Sequence, residues 1–151
     1  SVLTDLGLAT AVRGAALRST VPIRLVRLPD RRVDETAETT AYYVFAEAVA
    51  NAQKHSSASA IEVSIVDRGE TLTVEVKDNG IGGASPRGFG LQGLRDRVET
   101  VGGRFRVTSM HMHGTVVTAL IPVSAAKPGP VRPRPRPSTD PAPADGPSSP
   151  G

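Results

Sequence analysis

The sequence predicts an α+β fold: one mixed, mostly antiparallel sheet with helices packed on one face. Three observations predict it. Several short runs alternate with the period of a half-buried strand, most cleanly Leu72, Val74 and Val76 against Thr73, Glu75 and Lys77. The run 34–54 carries its apolar residues at helical spacing. The order along the chain is helix, strand, helix, hairpin, glycine-rich loop, helix, hairpin, so most strands have an antiparallel neighbour and the helices lie between them.

Leu3-Thr4-Asp5-Leu6-Gly7-Leu8 leads into a helical stripe of Leu8, Val12, Ala15 and Ala16, with Arg13 and Arg18 off the stripe. Ser19-Thr20 followed by Pro22 ends that helix. Residues 21–28 alternate as a strand, Ile23 and Leu25 against Arg24 and Arg27, although Val26 and Leu28 blur the two faces. Pro29-Asp30-Arg31-Arg32 is a loop. The long helix opens with polar residues 36–40 and continues from Tyr42 to His55, apolar nearly all round, so it is expected to be largely buried. Ser56-Ser57-Ala58-Ser59 ends it.

Ile61, Val63 and Ile65 alternate with Glu62 and Ser64 as a strand, Asp67-Arg68-Gly69-Glu70 forms a hairpin turn, and the strand 72–78 follows. Residues 80–93 hold six glycines and Pro86, too many for regular structure. Leu91, Leu94, Val98 and Val101 mark a short amphipathic helix that Gly102-Gly103 stops. Phe105 and Val107 mark one strand. Val117, Ala119 and Ile121, with Thr115 in the same parity, mark the last, and Pro122 closes it.

Composition divides the chain. Nine of the 13 prolines lie in residues 127–151, a stretch with too little apolar bulk to offset the entropy of ordering. Residues 1–123 are therefore read as one folded domain and 124–151 as a disordered tail. Of the net charge of +3, +2 belongs to residues 127–151, leaving +1 for residues 1–126. That balance and an aromatic content of 3% argue against a nucleic-acid partner. With no cysteine, disulfides, thiol catalysis and thiolate metal sites are excluded. No apolar run reaches membrane-spanning length and no signal peptide is visible. The chain opens on Ser1 and is read as a segment of a longer protein, cytoplasmic in this part, with membrane anchorage of the parent left open.

Four motifs carry candidate chemistry. Glu47, Asn51 and His55 stand at i, i+4 and i+8 on one face of the long helix. An Asn amide oxygen suits Mg²⁺, which keeps several waters and takes substrate phosphates as further ligands. A Glu one turn back can orient or deprotonate a water or receive a proton. A solvated helix face is the alternative reading.

Asp78 has the inward parity of Leu72, Val74 and Val76, where an acid is costly without a hydrogen-bond donor. Gly80 and Gly82 then let backbone approach a ligand closely. The exocyclic amino group of adenine is one such donor. Asp78-Asn79-Gly80 is equally a hairpin-turn signal.

Gly88-Phe89-Gly90-Leu91-Gln92-Gly93 opens a helix with bare amides that could cradle phosphate. It also fits a dinucleotide fingerprint, which is set aside because a loop precedes it in place of a strand. Gly114-Thr115 puts a hydroxyl on the core side of the last strand, where a bond to neighbouring backbone is the commoner use. His111 and His113 read as exposed loop residues. Arg132, Arg134 and Arg136 among the tail prolines read as a solvated linker.

In this order the four motifs resemble the ATP-binding catalytic domain of two-component sensor histidine kinases, in the wider superfamily of gyrase, heat-shock chaperone and mismatch-repair ATPases. Glu47-Ala48-Val49-Ala50-Asn51-Ala52-Gln53-Lys54-His55 with Ser56-Ser57-Ala58, and the segment 3–8, resemble its nitrate-sensor-like subfamily. The resemblance spans residues 3–123 and implies a Bergerat-type two-layer α/β sandwich that binds ATP and Mg²⁺. It implies that Asn51 holds Mg²⁺ between phosphates and that Glu47 supports the catalytic water or proton transfer. Lys54 and His55 would approach the phosphates. Asp78 would take the adenine amino group, Gly80 and Gly82 would line the base pocket, and Thr115 would bond Asp78 and adenine. Gly88, Gly90, Leu91 and Gly93 would contact phosphates from a lid.

The implied partners are the dimerisation and phosphoacceptor domain of the same parent, expected to be a homodimer, and a response regulator. No helix pair carrying a phosphoacceptor histidine lies in this chain, so it is expected to bind ATP without completing phosphotransfer alone. The lid segment 84–87 is short and is expected to order less around the γ-phosphate. Two other functions fit the same motifs: an anti-sigma-factor-type serine kinase, which the segment 3–8 disfavours, and a non-catalytic nucleotide-binding module, which the intact Glu47 and Asn51 disfavour.

Overall fold

The computed structural model describes residues 1–82 and 90–124. Its elements are α1 (Val2–Leu6), α2 (Leu8–Arg18), β1 (Ile23–Arg27), α3 (Glu35–His55), β2 (Ile61–Asp67), β3 (Thr71–Asp78), α4 (Leu91–Thr100), β4 (Arg104–Ser109) and β5 (Thr115–Pro122). The sheet runs in the order β1-β2-β3-β5-β4. β1 and β2 are parallel, joined over the sheet by α3, and every other pairing is antiparallel. β5 is inserted between β3 and β4, so the connection from β3 through α4 to β4 skips one strand position. This is the expected mixed α+β sandwich: α2, α3 and α4 cover one face and leave the other to solvent.

Register stacks the core in transverse rows. Leu25, Val63, Val76, Val117 and Val107 form one row across all five strands. Ile65, Val74, Ala119 and Phe105 form the next. The row at the other side of Val76 runs Ile23, Ile61, Asp78, Thr115, Ser109. Its β1 and β2 positions are apolar, and its β3, β5 and β4 positions carry a carboxylate and two hydroxyls. The alternation Leu72-Val74-Val76-Asp78 is buried throughout, so the inward parity of Asp78 holds in the fold.

The blurred faces of residues 21–28 have a cause. Leu25 pairs with Val63 and Arg27 with Ser64, so Val26 is an extra residue bulged out of the ladder and exposed. α3 also departs from expectation. It buries one side, including Ala41, Val44, Phe45, Ala48 and Ala52, while Tyr43, Glu47, Lys54 and His55 are exposed. A single layer of helices has an outer side, and the small Ala46 and Ala50 leave it half-covered. Phe45 is fully buried, and burial of such a side chain contributes about 1.5–3 kcal/mol, which holds the rotation of α3 against the sheet.

Both ends of the domain are tied to the start of α3. Asp34 caps the helix by accepting from the Ala37 N–H at 3.1 Å and also accepts from the Ser124 N–H at 3.0 Å. Glu38, one turn in and buried, accepts from Arg32 Nη2 at 3.0 Å and from the Leu8 N–H at 3.4 Å. Arg32 in turn donates to the Thr4 carbonyl at 3.1 Å. The segment 3–8, which leads straight into α2 in the sequence reading, is itself a short helix broken at Gly7 and held by this pair. No helix among the described residues is long and apolar enough to cross a membrane.

Two predictions follow from the packing. Gly114 has φ +83°, and a Cβ there would collide with the Asp78 carbonyl oxygen. Gly114→Ala is expected to destabilise the domain by more than about 1 kcal/mol, read as a lower urea midpoint.

The second concerns Asp67 in the β2–β3 turn. Hydrogen bonds from the Arg31 guanidinium and then from the Gly69 N–H hold its carboxyl below the usual carboxylate range. The folded value lies below the unfolded one, so the stabilisation is complete above an unfolded pKa of about 3.9 and is lost as pH falls through the folded value. Urea midpoints of wild type and Asp67→Asn should differ most near neutral pH and converge below about pH 4.

Candidate functional site

A cavity of about 200 Å³ opens between the C-terminal half of α3 and the polar end of the sheet. Its α3 side is Ala48, Asn51, His55 and Ser56. Its floor is Val76 and Asp78 of β3 with Thr115 and Val117 of β5. Its rim is Ile81, Gly82 and Leu91. Pockets that enclose whole drug-sized ligands run to about 300–1,000 Å³, so this one takes one flat end of a larger molecule. Apolar walls from Val76, Val117, Ile81 and Leu91 suit a ring, and the polar groups converge at one end.

Asp78 is 8% exposed. Its Oδ1 accepts from the Gly80 N–H at 2.8 Å, so part of the cost of burying the carboxylate is met by the turn that follows it. That turn is held hard against the end of α3. The Ile81 N–H donates to the Ser56 carbonyl at 2.7 Å, and a Cβ on Gly80 would collide with that same oxygen. Thr115 lies directly opposite Asp78 across the β3–β5 ladder, and both side chains face the cavity.

Asn51 supplies the clearest sign of a missing partner. Its Nδ2 is buried and has no hydrogen-bond partner among the described residues. An unmet buried amide costs about 1–3 kcal/mol, which a bound group facing the cavity can recover. A turn of the amide would present its oxygen in place of its nitrogen. Among the described residues, no three His, Cys, Asp or Glu side chains come together as a metal site. A cation here would therefore depend on Asn51 and on oxygens of the ligand itself.

The remaining expected site residues surround the cavity without all lining it. Glu47 is exposed one turn before Asn51, and a Cβ on Gly90 would stand 3.2 Å from its Oε2, so Glu47 and the start of α4 face each other at the mouth. Leu91 lines the cavity, whereas Gly93 lies on the exposed first turn of α4. His55 lines the cavity; Lys54 beside it is exposed and does not. Gly82 lines it, and Gly80 stands behind Asp78 as its hydrogen-bond donor. Gly88 and the expected lid 84–87 lie outside the described residues. His111 and His113 are exposed at the β4–β5 turn.

Sequence reasoning missed three contributors. Asn79 accepts from the Ser59 and Ala60 N–H groups at 2.9 and 3.0 Å and donates to Ser59 Oγ at 2.9 Å, pinning the end of β3 to the lead-in of β2. Its partners lie 20 and 19 residues away, so the local string shows only a turn. Ser56 is read as helix-ending polar residue, yet it is buried against the Gly80 turn. Ala48 was recoverable, since it stands three residues before Asn51 on the same helix face.

Residues 36–125 match the family described as histidine kinase-, DNA gyrase B-, and HSP90-like ATPase. The signal transduction histidine-protein kinase/phosphatase UhpB of Salmonella typhimurium is 35% identical over 129 residues, which are 80% of this chain and 25% of that protein. The oxygen sensor histidine kinase NreB of Staphylococcus carnosus is 35% identical over 99 residues, 62% of this chain and 28% of that one. The sensor histidine kinase YdfH of Bacillus subtilis is 38% identical over 95 residues, 58% and 23% of the two chains. The chain thus spans about a quarter of the length of the curated relatives it matches.

Among solved structures, the blue-light activated histidine kinase EL346 of Erythrobacter litoralis superposes with a TM-score of 0.62 at 23% identity, over 78% of this chain and 40% of that one. The ATP binding domain of PrrB from Mycobacterium tuberculosis gives 0.61 at 22% identity, over 81% and 94%. At these identities the structures speak for the fold, and the family match covers more than half of the sequence. The chain belongs to the histidine kinase-, DNA gyrase B- and HSP90-like ATPase family.

Proposed function

We propose that this chain is the ATP-binding catalytic domain of a sensor histidine kinase, with residues 1–123 as the working unit and 124–151 as a tail. Its activity within the parent is transfer of the γ-phosphoryl group of ATP to a protein histidine, giving phosphohistidine and ADP, and onward transfer to a response regulator. The observation that carries this reading is the convergence on one cavity with apolar walls of a buried carboxylate, Asp78, and a buried amide nitrogen, that of Asn51, which has no partner among the described residues. The names of the sequence relatives, all sensor or signal-transducing histidine kinases, support the same class.

In this reading the adenine ring enters between Val76, Val117, Ile81 and Leu91, and Asp78 accepts from its amino group. Gly80 orients the carboxylate, Gly82 borders the ring, and Thr115 adds a second polar contact. The phosphates run past Asn51 toward the mouth. Mg²⁺ bound there would neutralise phosphate charge. Asn51 would hold it from the protein side, and Glu47 at the mouth would position the incoming nucleophile and take up its proton. Lys54, His55 and the amides from Gly88 through Gly90, Leu91 and Gly93 complete the phosphate contacts. Catalysis is then mostly positioning. It needs the parent's dimerisation and phosphoacceptor domain, in a homodimer facing the cytoplasm where ATP and the response regulator are found.

Calorimetry with ATP, with and without Mg²⁺, tests the assignment. Asp78→Asn is expected to weaken ATP at least about tenfold in both conditions, the scale of a charged hydrogen bond. Asn51→Ala should weaken binding more with Mg²⁺ than without it. Unchanged affinity in both variants refutes the site. Transfer of labelled phosphate to a separately supplied dimerisation domain of a related kinase, and its loss in Glu47→Gln, tests the reaction.

A further inference from the structure

Residues 110–113 read Met-His-Met-His, and the nucleotide site uses none of them. The whole chain has two methionines, three histidines and no cysteine. Both methionines and two of the three histidines therefore stand in one run of four residues, and such a gathering of the chain's soft donors asks for a local reason.

The run is the turn between β4 and β5. The His113 N–H donates to the Met110 carbonyl at 2.9 Å, and the Met110 N–H donates to the Gly114 carbonyl at 3.3 Å. The ends of such a turn lie within about 7 Å of each other. All four residues are exposed, Met110 at 62% and Met112 at 67%. Burial of a methionine side chain would contribute about 1.5–3 kcal/mol, which both forgo. Met112 also sits at φ +66°, in the left-handed region where turns ordinarily place Gly or Asn. The backbone is anchored there: the Met112 N–H donates to the Ile81 carbonyl, and a Cβ on Gly82 would collide with the Met110 carbonyl oxygen.

We propose that Met110, His111, Met112 and His113 form a binding site for a soft monovalent cation, Cu(I). Thioethers select Cu(I), and imidazole binds copper as well. Methionine has three rotatable bonds, so thioethers on one tight turn can gather with the neighbouring imidazoles on a single ion. Among the described residues no group of three His, Cys, Asp or Glu forms, so Mg²⁺ and Zn²⁺ lack here the donors they favour. The site touches the backbone of Ile81 and Gly82 but shares no residue with the cavity lining, so it stands independently of the nucleotide reading.

Anaerobic titration of the full chain with Cu(I) against the chromophoric chelator bicinchoninate measures the affinity. Methionine methyl NMR locates the ion, because both ε-methyl signals of the chain come from this turn. Wild type is expected to take up one Cu(I) per chain with both methyl signals shifting, a readout that needs no variant. Ag⁺, a redox-inert soft ion of the same charge, should shift the same two signals, and Zn²⁺ should shift neither. Met110→Leu with Met112→Leu conserves volume at exposed positions and should weaken Cu(I) at least about tenfold, the lower end of what loss of even an outer-shell partner costs a metal site. His111→Asn with His113→Asn should weaken it on the same scale. No uptake against the chelator, copper held with the methyl signals unmoved, or equal affinity in the leucine pair overturns the site. Zn²⁺ that competes with Cu(I) on equal terms overturns its selectivity for a soft ion.

Discussion

One row of the sheet organises this domain. At Ile23 and Ile61 it is ordinary core, and at its next three positions it holds Asp78, Thr115 and Ser109. A carboxylate in that layer is tolerable only at an end of the sheet where a turn can aim an N–H at it and a cavity can admit a donor. Both conditions are met: Gly80 supplies the N–H and the cavity opens beside it. The close approaches nearby, Gly80 against Ser56 and Gly114 against the Asp78 carbonyl, follow from the same need to hold the acid in one place. They leave no room for side chains.

α3 connects that row to the rest of the molecule. Its N-terminal turns hold the two ends of the domain through Asp34 and Glu38, and its middle packs Val44 and Phe45 into the core. Its C-terminal turns carry Asn51 to the cavity and Ser56 to the turn that supports Asp78. The apolar contacts that stabilise the fold are therefore the contacts that set the position of Asn51. A helix with a wet outer side also leaves Glu47 accessible at the mouth, where an all-round buried helix would have hidden it. The Tyr43 ring on that side faces the Arg97 guanidinium, 3.7 Å from its centroid, which ties α3 to α4.

Much of the fold was legible locally. Strand parity placed Leu72, Val74, Val76 and Asp78 on one face, and the i, i+4 spacing placed Asn51 and His55 on one side of α3, because those periods are properties of the backbone itself. The bulge at Val26 showed as a broken alternation, without saying that the ladder slips there. The insertion of β5 between β3 and β4 left no local trace, since strand order is settled by which edges remain open after the hairpins form. Glu38 looked like one more polar residue in a first turn. Its partner Arg32 and the Leu8 N–H come from segments that the sequence gives no reason to bring together.

The amino-acid sequence alone determined the elements, the inward direction of Asp78 and Thr115, and the candidate chemistry of Asn51, because each depends on short-range geometry and on residue type. The tertiary structure alone decided that Asp78, Thr115 and Ser109 share a row, that Gly80 supports the acid from behind, and that the Asn51 amide nitrogen is buried beside them with no partner among the described residues. Those relations arise from register and helix packing between segments far apart in the chain, where burial and hydrogen-bond satisfaction are settled jointly and no single stretch carries the answer.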